Sequence, residues 1–248
     1  MNRIRAGWLR SISNAGESSD RGFNVVDALI ERKLDGQHEP ASPPVPRSLR
    51  RGQHLYRAGD LSRHIYSVQR GTLKTYSIDA VHNEWITGFH STGKLLGLDA
   101  LVNLPMRNGA VALETTLVSQ IPVRTILAGI EEFASLRARV LEQFYAEISR
   151  LESQMSQYSR NASQRIAHLV LHMAEDSNRI RLPMSHKEMG NYLHLSPETV
   201  SRVFARFQRH GWLDSHRREI KIRNRAALEF IDTGEDPGSE IGRQSAWR

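Results

Sequence analysis

Residues 184–223 read MSHKEMGNYLHLSPETVSRVFARFQRHGWLDSHRREIKIR. Ser185 stands three residues before Glu188. That is the spacing of a capping box, in which the hydroxyl accepts from one end of the first turn and the carboxylate reaches back to the other. It predicts a helix through Met189 to Leu193. His194, Leu195 and Ser196 form a turn. Ser196 suits the N-cap of a second helix, and Pro197 its first position, where the missing N–H would be unpaired in any case. The second helix runs to about His210, and Gly211 ends it by tolerating the left-handed conformation. Val200, Val203, Phe204 and Phe207 give it one apolar face. Beyond it, Trp212–Leu213 and Glu219–Ile222 flank a polar turn, Ser215–Arg218, and read as a β-hairpin. Helix, tight turn, helix and hairpin in this order make a winged helix-turn-helix.

The side chains off the apolar face carry the chemistry. Glu198, Ser201 and Arg202 sit at i, i+3 and i+4 and project together. A helix of this kind fits the major groove of DNA with its N-terminal residues at the base edges. Arginine donates twice to guanine, glutamate accepts from a cytosine amino group, and a hydroxyl serves either way. Ser196, Thr199, Arg206, Arg209, Arg217, Arg218 and Lys221 are the expected phosphate contacts, which set register. Between Asn161 and Arg225 there are twelve Lys or Arg against six Asp or Glu. The plainer reading of Glu198 and Arg202 is a solvated i,i+4 ion pair worth about 0.3–0.5 kcal/mol.

Upstream, Asn161 and Ser163 can begin a helix whose Ile166, Leu169, Val170 and Met173 face inward, followed by a short strand, Arg179–Leu182. Before that, residues 126–158 hold no Pro and one Gly, Gly129. Leu136, Val140, Phe144, Ile148, Leu151, Met155 and Tyr158 step by three or four. This predicts a single helix of ~30 residues, ~45 Å long. It is too long for a small β domain to cover, so the seam from Leu136 to Met155 is expected to meet a second copy of itself. The domain limits drawn for it are 129–160.

From Arg47 to about residue 128 the texture is different. Short runs recur at Gln53–Tyr56, Ile65–Val68, Thr72–Ile78, Glu84–Phe89, Lys94–Leu98, Ala110–Leu113 and Leu117–Ile121, punctuated by glycines. They predict a β-sandwich or β-barrel. Residues 1–46 read as an extended arm, proline-rich from Asp35 to Pro46, with one short helix around Val25–Lys33. The winged domain is bounded at 161–225, and 226–248 reads as a frayed tail.

Composition narrows the classes. The chain has 248 residues, a net charge of +7 and no cysteine. Disulfides, thiolate zinc sites, cysteine-ligated clusters and thiol nucleophiles are therefore excluded. No apolar run reaches the ~18–20 residues of a membrane span, and Met1 to Ser19 lacks the apolar core of a secretory signal. A cytoplasmic protein with no membrane partner is expected. The positive charge favours a polyanionic partner. No Ser/His/Asp, paired-carboxylate or phosphate-loop constellation points to catalysis.

Arg47 to Arg225 resembles the CRP/FNR family of bacterial transcription regulators, and most the FNR branch. The runs that carry the resemblance are residues 51–60, Ile65-Tyr66-Ser67-Val68, Gly71-Thr72-Leu73-Lys74 and Ile86-Thr87-Gly88-Phe89-His90. In the DNA-reading part they are Gly190-Asn191-Tyr192-Leu193, Leu195 and Glu198-Thr199-Val200-Ser201-Arg202 with Phe207-Gln208. The resemblance implies an α+β chain: an N-terminal β-roll of the cyclic-nucleotide-binding type, a long dimerisation helix and a C-terminal winged helix-turn-helix. It implies a homodimer on double-stranded DNA at a TTGAT-N4-ATCAA-like palindrome, and RNA polymerase as a partner. Arg202 would take the guanine, Glu198 the opposing cytosine and Ser201 a thymine.

The chain also departs from the family. FNR-type sensors hold an iron–sulfur cluster on four cysteines, three N-terminal and one in the β domain; here the last position reads as Ser119 and the others are absent. Cyclic-nucleotide binders use a Phe-Gly-Glu turn; here it is Leu96-Gly97-Leu98, and Arg107-Asn108 only echoes the phosphate-binding pair. Haem or another metal would rest on His168 and His172, an i,i+4 pair more simply read as packing. The expectation is a regulator with no cofactor. The alternatives are a small-ligand or haem sensor using the β-roll, or a ligand-binding β-barrel that regulates nothing.

Overall fold

The computed structural model describes residues 44–174, 177–216 and 218–234. The helix expected at Val25–Lys33, most of the arm, the tail beyond Gly234 and Arg217 lie outside the described residues. The β part comprises β1 (Val45–Leu49), β2 (His54–Tyr56), β3 (His64–Arg70), β4 (Leu73–Ile78), β5 (Glu84–His90), β6 (Leu95–Leu96), β7 (Gly109–Ala112) and β8 (Thr116–Pro122). They form two antiparallel sheets, ordered β1-β8-β3-β6 and β2-β7-β4-β5.

Strand alternation decides where the cores lie. Tyr66, Val68, Leu96 and Val118 point from the first sheet onto Leu55, Leu73, Ala110 and Ala112 of the second. Their neighbours Ile65, Leu95 and Ile121 point the other way, onto helices. This is the period-two geometry of strands with both faces covered. β1 was not expected, and the β part was bounded at Arg47. Pro46 obscures the strand in the sequence, yet among the described residues β1 is a sheet edge that pairs only with β8, where a missing N–H is tolerated.

The long helix is two helices. α1 covers Val123–Glu132 and α2 covers Ala134–Ser156. Phe133 between them is extended, with φ −118 and ψ 115. The break lets Ile126 of α1 and Leu136 and Val140 of α2 all reach the outer face of the first sheet. Leu136 and Val140 are only 2% and 4% exposed. They fill this chain's own core and have no surface left for a partner, so they drop out of the expected seam.

The C-terminal part runs α3 (Ala162–Ala174), β9 (Arg179–Arg181), α4 (His186–Leu193), α5 (Pro197–Arg209), β10 (Leu213–His216), β11 (Glu219–Ile222) and α6 (Arg225–Thr233). Its core gathers Ile166, Val170, Met189, Val200, Phe204, Phe207, Leu213 and Ile222. β9 joins the hairpin as a third strand, in the order β10-β11-β9. α6 overturns the reading of everything after Arg225 as tail. Asn224 caps it, accepting from the Ala227 amide at 3.0 Å, and Leu228 and Ile231 are buried against the domain. One helix of nine residues carries too few apolar positions to announce itself by periodicity.

Candidate nucleic-acid interface

The capping signals are realised. Ser185 accepts from the Glu188 amide at 3.2 Å, while the Glu188 carboxylate accepts from the Ser185 amide at 2.8 Å. Ser196 accepts from the Thr199 amide at 3.1 Å and Pro197 opens α5. The turn between α4 and α5 is tight because of Gly190. A Cβ there would stand 2.5 Å from the Leu195 carbonyl oxygen, closer than atoms can approach. The Leu195 amide donates back to the Gly190 carbonyl at 2.8 Å, closing the turn. Gly211, at φ 69, follows α5 where a side chain would be strained.

This turn sets α5 with its apolar face inward and its other face in solvent. Glu198, Ser201 and Arg202 are all exposed on that outer face. Thr199, Arg202, Arg206 and Arg209 line one shallow groove along the helix. Arg202 donates to Thr199 Oγ1 at 3.3 Å, and Thr199 in turn pairs with Ser196 Oγ at 3.0 Å. Arg209 is exposed, and Arg218 and Lys221 are half-exposed on the hairpin side. Arg206 is a correction to the expected phosphate set. It is half-buried and donates to Ser163 Oγ at 2.8 Å, tying α5 to α3. Its neighbour Phe207 is fully buried, which draws that turn of helix into the core.

Comparison with known proteins follows the same division. Residues 164–231 match the family model of the Crp-like helix-turn-helix domain, and residues 46–133 that of the cyclic nucleotide-binding domain. The fumarate and nitrate reduction regulatory protein of Yersinia pestis is 33% identical over 218 residues, 85% of this chain and 82% of that relative. The chain belongs to the CRP/FNR family of transcription regulators. The transcriptional activator protein anr of Pseudomonas aeruginosa is 34% identical over 77% of this chain and 82% of its own length. The solved structure of FixK2 from Bradyrhizobium japonicum superposes with a TM-score of 0.71 at 26% identity, covering 77% of this chain and 98% of FixK2.

The β-roll positions singled out in the sequence can be located. The roll has no cysteine, and Ser119 on β8, a hydroxyl, is a poor ligand for iron beside thiolate. An iron–sulfur cluster therefore does not fit these residues. At the turn Leu96-Gly97-Leu98 no carboxylate is present, and Arg107 is 81% exposed and held by Asp99 at 3.0 Å. His168 and His172 stack with ring centroids 6.3 Å apart. His168 joins Ser153 of α2 at 3.0 Å to Asp232 of α6 at 3.2 Å, a packing role between three helices. Among the described residues, no group of three or more His, Asp or Glu could hold a metal ion. None of their helices is long and apolar enough to cross a membrane.

Sequence reasoning missed how the regulator's two parts meet. β5 is a sheet edge, and edge strands leave N–H and C=O groups unpaired. Asn191 of α4 fills that edge: its Oδ1 accepts from the Ile86 amide and its Nδ2 donates to the Glu84 carbonyl, both at 2.6 Å. Lys74 bridges Glu84 at 2.6 Å and Glu188 at 3.5 Å. Phe89 packs on Tyr192, centroids 5.0 Å apart. Arg150 of α2 pairs with Glu147 through Nη2 at 2.6 Å and donates through Nη1 to the Thr87 carbonyl at 2.7 Å. Helix α2, strand β5 and helix α4 thus share one junction. Asn191 and Tyr192 stood among the residues that carried the resemblance; nothing local in the sequence named their partners.

Proposed function

We propose that this chain is a cytoplasmic, homodimeric, sequence-specific DNA-binding regulator that reads a TTGAT-N4-ATCAA-like palindrome and works without an iron–sulfur cluster, cyclic nucleotide or haem. The observation that carries the reading is the shared exposed face of Glu198, Ser201 and Arg202 at the capped start of α5. Arg202 takes the guanine, Glu198 the opposing cytosine and Ser201 a thymine. Ser196, Thr199, Arg209, Arg217, Arg218 and Lys221 meet phosphates. RNA polymerase is the protein partner at the promoter.

The dimer reading is supported by an exposed apolar seam on α2. Leu141, Ile148 and Met155 repeat every seven residues, as do Phe144, Leu151 and, just beyond the helix, Tyr158. All six are exposed in the single chain. That is the a/d pattern of a coiled coil, shifted away from the buried Leu136 and Val140. A two-fold protein implies a palindromic operator.

The test is a gel shift with a duplex carrying TTGAT-N4-ATCAA against one of the same length with both half-sites scrambled. Preference for the palindrome of at least roughly a thousandfold is expected, the low end of specific over non-specific binding. Equal retardation of both duplexes at any salt concentration overturns the sequence-specific reading.

A further inference from the structure

We propose that His186 is a positioning residue for base recognition: it decides whether the Ser201 hydroxyl offers the DNA a proton or a lone pair. This rests on the reading of Ser201 as a base contact. His186 is the first residue of α4, and its Nδ1 lies 2.9 Å from Ser201 Oγ on α5. The imidazole stacks on Phe204, centroids 5.2 Å apart and planes 14° from parallel. Phe204 is itself buried, and the capping box at Ser185 pins the start of α4. The ring therefore rests on Phe204 with its Nδ1 against a hydroxyl of the recognition face.

A serine hydroxyl has one proton and two lone pairs. When Nδ1 carries no hydrogen, it accepts the Ser201 proton, and only lone pairs are left for the base. The side chain then suits an amino group, such as cytosine N4 or adenine N6. When Nδ1 carries a hydrogen, it donates to Oγ, and the hydroxyl proton is turned outward. The side chain then suits thymine O4. A neutral imidazole divides between the two arrangements, whereas the imidazolium permits only the second. On the helices that carry the pair, the charged neighbours are Lys187 and Glu188 of α4 and Glu198 and Arg202 of α5. The Glu188 carboxylate is already held by Ser185 and Lys74.

The experiment measures affinity of the full chain, by fluorescence anisotropy, for the TTGAT-N4-ATCAA duplex and for duplexes with each half-site thymine changed in turn to cytosine. The change replaces an acceptor by a donor at one position. His186→Ala is expected to lower preference for thymine at one position roughly three- to tenfold, the worth of one hydrogen bond. His186→Asn, whose amide nitrogen can stand at the Nδ1 position, should restore that preference. An unaltered ratio in His186→Ala overturns the proposal, and so does a preference that His186→Asn fails to restore. Ser201→Ala separates the two levels: if it leaves preference at every thymine intact, Ser201 is not a base contact and the underlying reading fails. If it abolishes one preference while the His186 variants change nothing, only the role of His186 fails.

Discussion

Replacing Ile148 by glutamate should separate the proposed dimer while leaving each chain folded. Ile148 is 54% exposed in the single chain, so it contributes little to that chain's own core. About half of an isoleucine side chain is on the order of 90 Å² of apolar surface, worth about 2 kcal/mol when removed from water. In a two-fold seam the loss occurs twice, about 4–5 kcal/mol, before the cost of bringing two carboxylates together. That weakens dimerisation roughly a thousandfold or more. Sedimentation velocity at about 10 µM, a load at which a dissociation constant raised that far is visible, should then give a monomer in place of a dimer. Circular dichroism should keep its helical signal. Glu142→Gln is the control: it lies on the same helix one position off the Leu141 row, its carboxylate pairing with Arg139 at 2.9 Å, and it should keep the dimer mass. Ile148→Glu still sedimenting as a dimer would refute the assignment of the seam, and a monomer with lost helical signal would show that the residue serves the fold instead.

Arg202→Ala should weaken specific binding by about 1–3 kcal/mol and relax choice at the guanine, read by selection from a randomised half-site; an unchanged base preference counts against the assignment. Gly190→Ala forces a Cβ to 2.5 Å from the Leu195 carbonyl oxygen, so urea unfolding should show a loss of about 1–3 kcal/mol, and wild-type stability would mean the turn is loose. Asn191→Ala removes two hydrogen bonds to the edge of β5. At about 1 kcal/mol each, the Ile86 amide should exchange with solvent roughly tenfold faster or more, and an unchanged rate would mean the two parts are held by other contacts. Burial pushes His90 down to about 4, its Nε2 paired with Thr75 Oγ1 at 3.0 Å. The unfolded chain then binds this proton first, so the stability of the fold should decrease as pH drops from about 6.5 towards 4, by up to about 3 kcal/mol. His90→Gln should flatten that slope, and an identical slope in the variant assigns the acid sensitivity elsewhere.

The amino-acid sequence by itself determined the winged helix-turn-helix. Ser185, Glu188, Ser196, Pro197 and Gly211 act through bonds within three or four residues, so a cap or a stop is written where it operates. The alternating runs of the β-roll were legible for the same reason, since period two is a local property. The shared face of the proposed base-reading trio was also visible, because i, i+3 and i+4 share a helix face wherever the helix lies. Only the tertiary structure decided which apolar residues face inward. Leu136 and Ile148 belong to one stripe in the sequence, but the first packs on Ile65 and Ile121 and the second is left in solvent. The extended residue Phe133 that divides the stripe has no sequence signal of its own. α6 is held by burial of Leu228 and Ile231, not by its length. Asn191 lies about a hundred residues from the strand it covers, and His186 fifteen from the hydroxyl it holds. Periodicity says that a side chain is apolar or a face is shared; what that side chain touches depends on how distant segments close around it.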